Sequence, residues 1–526
     1  MKRSSRAEQL GYLLFAGVLF ILFFFLYRYT VFTLDSDAAS ELVLAEQLAE
    51  EGRLISKNWL YGSELRVFYS QLIFAPLMAL LGDWSLVRMI GTGLMLLALV
   101  ISFYFFCREL GFKGLFPWAA MIMLLPLSRI YFDVLYKFSY YLPHVIIGFL
   151  VPFMVLRYEC STNADRGCIR FLPLAAAMLL SFAVGLNGMR LLLCLYIPLV
   201  LSVCFLMWQE KGQLKPLLEG SGLCALAAVL GCAVNILLLS KSYSVLDIAS
   251  ISFAPLSFER IETAISGLLD VFGYRSNAPL FSKALIFCAQ GGLLFLLSIG
   301  ASVLILKRRD LFSWQQRFVP ALYLSSFLVL LLLFAFTDMQ YTDRYMIQCG
   351  VLGILPMLIC LGERRLWGKA GSLLSMLLCA FLLFSSALHY NDMRKEDKTR
   401  AQRECAEYLV SNGYEQGYAS FWNGNVMTEL SDGALDIWVW DEHFAELSDP
   451  DDIVGFLQSK HHLQPPGEGK VFVLLSANED YYCPFAKNFD QSKLVFKTSG
   501  YSPEAIHEYV IYSFDSYEQL RENFGL

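Results

Sequence analysis

Eleven apolar runs dominate the chain, near 10–32, 86–107, 115–132, 141–156, 171–187, 190–208, 220–240, 284–306, 318–336, 346–361 and 371–388. A helix needs about 17–25 apolar residues to cross the hydrocarbon core of a bilayer. There only a helix or a closed barrel satisfies every backbone N–H and C=O. The sequence therefore predicts a polytopic α-helical membrane protein of about eleven transmembrane helices. Apolar residues fill 56% of the 526 positions, which excludes an ordinary soluble enzyme. The net charge of -6 is segregated by region, and no basic stripe suited to nucleic acid is present.

The opening MKRSSRAEQ followed by Leu10–Leu26 reads as a retained signal-anchor helix with a cytoplasmic start, because no small-residue cleavage site follows it directly. The run from Val67 to Gly82 is short and carries a proline, so it reads as a juxtamembrane or re-entrant segment rather than a span. With that assignment Lys2, Arg3, Arg6, Arg108, Lys113, Arg157, Arg170, Lys211, Lys215, Lys307–Arg309 and Arg364–Lys369 all face the cytoplasm. The loops 33–85, 129–140, 188–190, 241–283 and 337–345 then lie outside. An odd number of spans sends everything beyond about residue 390 outside as well.

Two regions are expected. Residues 1–389 form the multi-span domain, with its outer loop 33–85. Residues 390–526 form an extracytoplasmic α/β domain: a charged helix over Lys395–Ser411, short apolar runs of strand type at Tyr418–Phe421, Leu435–Trp440, Val471–Leu475, Leu494–Lys497 and Tyr509–Phe514, and a helix over Asp451–Lys460. Of the thirteen cysteines most lie in apolar runs, where Cys behaves as a small hydrophobe, and no CxxC occurs. Cys405 and Cys483 are placed to pair across the C-terminal domain.

Chemistry concentrates at the outer ends of the spans. The first polar stretch, LDSDAASELVLAEQLAEEG, brings Asp35 and Asp37 to the membrane boundary, with Glu41, Glu46, Glu50 and Glu51 following at helical spacing. Such carboxylates ligate a divalent ion, act as a general base, or cap the helix that begins there. Arg129 and Asp133, four apart, share one helix face, where an intrahelical ion pair is the plain alternative to a functional role. Arg190 at a tight outer turn and Arg344 at the mouth of the tenth run suit phosphate, since a guanidinium donates two parallel hydrogen bonds; lipid headgroup anchoring competes. His144 reads as a core histidine or a proton carrier. Tyr140, Tyr141 and Trp59 read as interfacial aromatics. Glu259, Glu262 and Asp270 read as the solvated face of an amphipathic helix, and Arg275 as a residue able to reach a phosphate.

The layout resembles the GT-C glycosyltransferases, a membrane clan that includes protein O-mannosyltransferases and aminoarabinose transferases. Ala45 and Gly52 keep the clan's alanine-to-glycine spacing after its first acidic motif, which sets Asp37 on the motif's aspartate; Ala38 stands where a Glu is common and Glu41 where a Tyr is usual. Asp133 resembles the clan's second acidic residue. Val67–Arg88 resembles its P-L-x-Y…FG…R segment, and Arg344-Tyr345 its late R-Y motif. The resemblance implies an inverting transfer of a sugar from a polyprenyl-phosphate donor to a lipid, glycan or protein acceptor, at the outer face of what is expected to be a bacterial cell membrane.

In that scheme Asp37, Asp35 and Asp133 are the catalytic candidates, and Arg344, Arg190, Arg129, Tyr345 and Lys137 the donor-phosphate candidates. A divalent metal ion stays open, with Asp37 and Asp133 as its ligands. Two other readings remain: a transporter or flippase for a lipid-linked glycan, and a non-catalytic envelope-assembly protein with the same fold.

Overall fold

The computed structural model describes residues 6–137, 139–163, 170–245, 252–276, 278–279, 281–440, 447, 449–502, 505 and 507–524. Lys2, Arg3 and the ring of Tyr140 lie outside the described residues. The chain divides into two compact units. One comprises Met1–Leu26, Gly93–Leu238 and Ala249–Met393, the other Tyr27–Thr92, Leu239–Ile248 and Arg394–Leu526. The segment 33–85 therefore belongs to the same unit as the C-terminal residues.

All eleven apolar runs are helical. Eight helices are long and apolar enough to cross a membrane: Arg6–Thr33, Trp84–Glu109, Leu142–Ser161, Leu192–Gln209, Lys215–Ser242, Lys283–Lys307, Trp314–Phe336 and Ala370–Met393. A ninth is the pair Phe116–Leu124 and Arg129–Lys137, bent by 101°. The remaining two runs, Phe171–Gly185 and Ile347–Gly362, are shorter apolar helices, so among the described residues eight helices, or nine with the bent pair, reach full length against the eleven runs expected. The bend has a local cause. Leu125, which precedes Pro126, is extended at φ -73 and ψ 143, as the proline ring requires of its neighbour, and the helix stops there.

Small residues set the closest helix approach in the membrane unit. A Cβ on Gly185 would lie 2.2 Å from the Ala228 carbonyl oxygen, and one on Gly231 would lie 2.2 Å from that of Phe182. Glycine is what lets these two backbones touch.

In the other unit the acidic stretch forms the helix Ser36–Glu51. Asp35 caps it, its carboxylate accepting from the Ala38 N–H at 3.0 Å, and Gly52 closes it in the left-handed conformation at φ 63. Val67–Gly82 yields only the helix Gln71–Leu81, of 11 residues with Pro76 inside.

Eight strands follow in chain order: β1 (Trp59–Tyr61), β2 (Ser244–Val245), β3 (Gln416–Ser420), β4 (Asp436–Trp440), β5 (Gln458–Ser459), β6 (Val471–Ser476), β7 (Leu494–Lys497) and β8 (Tyr509–Phe514). Five form one sheet in the order β4-β3-β6-β8-β7, parallel from β4 to β6 and antiparallel beyond. Every residue of β6 is buried, which is why it reads as an unbroken apolar run. All five apolar runs of the C-terminal region are strands of this sheet.

The helix expected over Asp451–Lys460 is absent. Leu457 takes φ 56, and Gln458 and Ser459 pair instead with β1, completing a small β2-β1-β5 sheet from three distant parts of the chain. Cys405 and Cys483 are both buried free thiols, so the expected pairing does not form.

The unit is pinned by Arg88. Its guanidinium pairs with Glu429 through both Nε and Nη2, and Nη2 also donates to the Ala38 carbonyl at 2.9 Å. Arg88→Met leaves the Glu429 carboxylate buried without a counter-charge, and thermal unfolding of the detergent-solubilised protein should show a loss of about 3–5 kcal/mol. The double variant Arg88→Met/Glu429→Leu should recover most of that loss.

Candidate functional site

In the membrane unit, the segment that follows the bend runs through a π-helical turn, Asp133–Lys137, before the helix that begins at Leu142. A second π-helical turn, Leu192–Tyr196, follows Arg190. Wide turns of this kind interrupt regular helices where side chains must be re-aimed, often at functional sites. Gly188, at φ 135, makes the tight bend that brings Arg190 out of the preceding helix.

Arg190 and Arg344 converge. The Arg190 guanidinium lies 5.2 Å from the Tyr141 ring centre and 5.0 Å from that of Tyr345, between two aromatic faces. Arg344 donates to the Tyr141 hydroxyl at 2.5 Å and to Thr342 Oγ1 at 3.2 Å. His144 and Gln348 complete a hollow of about 20 Å³, room for about one water molecule. The Gln348 amide nitrogen is buried with no hydrogen-bond partner, and it reaches its place because residue 148 is glycine, where a Cβ would lie 2.6 Å from it. Two cations, a phenol, an imidazole and an amide donor around one hollow are a donor set of the kind that suits an oxyanion.

The remaining candidates are dispersed. Arg129 and Asp133 form the plain i,i+4 ion pair, Nε to Oδ2 at 2.6 Å, while Asp133 Oδ1 is buried with no hydrogen-bond partner. Lys137 is buried in the same π-helical turn. None of these three lines the hollow. Arg275 is exposed and stacks on Phe287 at 5.1 Å. Glu259 and Glu262 are exposed on the helix Phe258–Val271, as an amphipathic surface helix requires, but Asp270 is half-buried.

Asp35 and Asp37 belong to the other unit. Asp35 is the helix cap; Asp37 sits half-buried in the first turn, its backbone carbonyl accepting from Ser40 Oγ at 2.7 Å. Glu41, one helical turn on, is fully buried. It is satisfied by Arg66 at 2.6 Å, by Gln71 Nε2 at 3.0 Å and by the Ser70 hydroxyl.

Two features escaped sequence reasoning. Gln348 stands four residues after Arg344, a helical spacing that could have joined them. Asp436, His461 and His462 bring three ligand atoms within 4.8 Å of one another, a grouping that includes neither Asp37 nor Asp133. Only the tandem histidine hints at it.

On the helix Phe258–Val271, burial and the nearby Asp343 raise the Asp270 carboxyl from 3.8 to about 6. The folded state therefore holds this proton more tightly than the unfolded chain, and its contribution to stability falls as pH rises from 3.8 to about 6. Thermal unfolding across that range should show the loss, and Asp270→Asn should flatten it.

No family model and no curated protein matches the chain by sequence. Its fold has counterparts among solved structures. It is similar to the aminoarabinose transferase ArnT of Cupriavidus metallidurans in the apo state, with a TM-score of 0.56 at 12% identity over 95% of this chain and 97% of that one. The same enzyme bound to undecaprenyl phosphate superposes with a TM-score of 0.54, also at 12% identity and over the same 95% and 97%. The chain has the fold of the GT-C membrane glycosyltransferases.

Proposed function

We propose that this protein is an inverting glycosyltransferase that moves a sugar from a polyprenyl-phosphate donor to an acceptor at the outer face of a bacterial cell membrane. The observation that carries this reading is the Arg190–Arg344 pair around Tyr141, on a chain with this fold. The related Cupriavidus enzyme holds undecaprenyl phosphate, and a donor of the same class suits two convergent guanidinium groups.

The chemistry follows from charge. An acceptor hydroxyl or amine attacks the anomeric carbon as a carboxylate removes its proton. The bond to the lipid phosphate breaks, and the phosphate leaves as an anion held by Arg190 and Arg344. Asp37 is the proposed base. Asp133, with its buried Oδ1, is the second acidic candidate, oriented by Arg129; Tyr345 lines the proposed donor hollow, and Lys137 is a further proposed donor contact. The segregation of basic residues supports a cytoplasmic N-terminus and an outer C-terminal domain.

Release of polyprenyl phosphate from a lipid-linked sugar by the purified protein tests the reading. Asp37→Asn should lower kcat by about 10²–10⁴-fold, the usual worth of a general base. Asp35→Asn preserves an equally good helix cap and should leave the rate near wild type. Wild-type turnover in Asp37→Asn refutes the base; donor binding with no turnover in the native protein refutes the enzyme. Arg344→Ala removes a charge-assisted contact worth about 1.5–3 kcal/mol, so kcat/KM should fall by roughly 10–100-fold.

A further inference from the structure

The start of β4 and the short helical turn after β5 meet on an acidic cavity of about 640 Å³, lined by Glu46, Glu50, Glu51 and Lys460 among others. At its wall Asp436 faces two imidazoles at once. Oδ2 lies 2.7 Å from His461 Nε2, and Oδ1 lies 2.8 Å from His462 Nε2.

Hydrogen bonding fixes which nitrogen of His462 carries the proton. Gln458 Oε1 accepts from the Val439 N–H at 3.2 Å, while Gln458 Nε2 donates to the Val439 and Val454 carbonyls at 3.3 and 2.5 Å. The amide oxygen therefore faces His462 Nδ1 at 2.9 Å, and Nδ1 must be the donor. Ser459 Oγ lies 2.8 Å from His461 Nδ1 and 3.3 Å from the Asn58 carbonyl oxygen.

A neutral His462 thus aims its Nε2 lone pair at the Asp436 carboxylate, acceptor against acceptor, and a cation between them makes that contact attractive. With the two ring centroids 4.1 Å apart, one divalent ion can take both Nε2 lone pairs and a carboxylate oxygen together.

The geometry points to a divalent transition-metal site, of zinc type, formed by Asp436, His461 and His462. Two imidazole nitrogens and one carboxylate oxygen suit zinc rather than magnesium or calcium, which take oxygen ligands. The Nδ1 bonds to Ser459 and Gln458 are the outer contacts that orient metal-bound histidines. Around a tetrahedral ion, ligand atoms sit roughly 3.3–3.5 Å apart, so binding moves the carboxylate by about half an ångström. Three protein ligands leave the fourth position to water or to an oxygen of a ligand held in the acidic cavity. The site is independent of the glycosyl-transfer reading, since it contains none of the residues assigned there.

Full-length protein without a polyhistidine tag, stripped with chelator and titrated calorimetrically with ZnCl2, decides the matter. One zinc per chain is expected. His461→Ala should weaken binding by on the order of 100-fold, and Ser459→Ala by roughly 10–100-fold. His461 is exposed, so the apo variant should unfold at the wild-type temperature, and zinc should raise the Tm of the wild type alone. Absence of saturable zinc binding, or wild-type affinity in His461→Ala, overturns the assignment.

Discussion

The unit that carries the acidic helix depends on one buried ion pair. Arg88, at the start of a long apolar helix, reaches Glu429 in the C-terminal sequence and the carbonyl of Ala38 in the first outer segment. Burial raises the Glu429 carboxyl, and Arg88 is the group that opposes this. A carboxylate in such surroundings is tolerable only with its partner in place, so three segments, around residues 38, 88 and 429, are held in one register. Ala38 adjoins Asp37. The same constraint that closes the unit therefore fixes the first turn in which that aspartate lies. Glu41, fully buried and satisfied by Arg66, Ser70 and Gln71, fixes the next turn against the short helix Gln71–Leu81.

The membrane unit gathers its charge differently. Arg190 lies against aromatic faces, with Tyr141 and Tyr345 on either side. A guanidinium stacked on rings keeps its N–H edge available, because the ring quadrupole engages the flat face. Arg344 meets the same Tyr141 through its hydroxyl. Lysine, a point charge on a flexible stem, would not reproduce either arrangement.

The apolar runs, the five strands of the larger sheet and the acidic helix were all legible, because hydrophobic period and capping chemistry are local properties. The span count was overestimated where local pattern meets a limit of length: Phe171–Gly185 and Ile347–Gly362 are apolar throughout yet of 15 and 16 residues. Asp451–Lys460 was misread as helix because its polar-apolar spacing suits one, while pairing with β1 decided its conformation. The Arg190–Arg344 meeting joins residues over a hundred and fifty positions apart, and the Asp436–His461–His462 group depends on the side-chain amide of Gln458. Neither kind of contact leaves a periodic trace.

The small β2-β1-β5 sheet draws its strands from residues 59, 244 and 458 of the chain. Local contacts form first and distant ones wait for loop closure. During synthesis, then, the acidic segment emerges early but lacks its neighbouring strand until residues 458 and 459 have been added. Any chain cut before that point leaves the strand Trp59–Tyr61 without its antiparallel partner, so the segment around the acidic helix matures hundreds of residues after it is made.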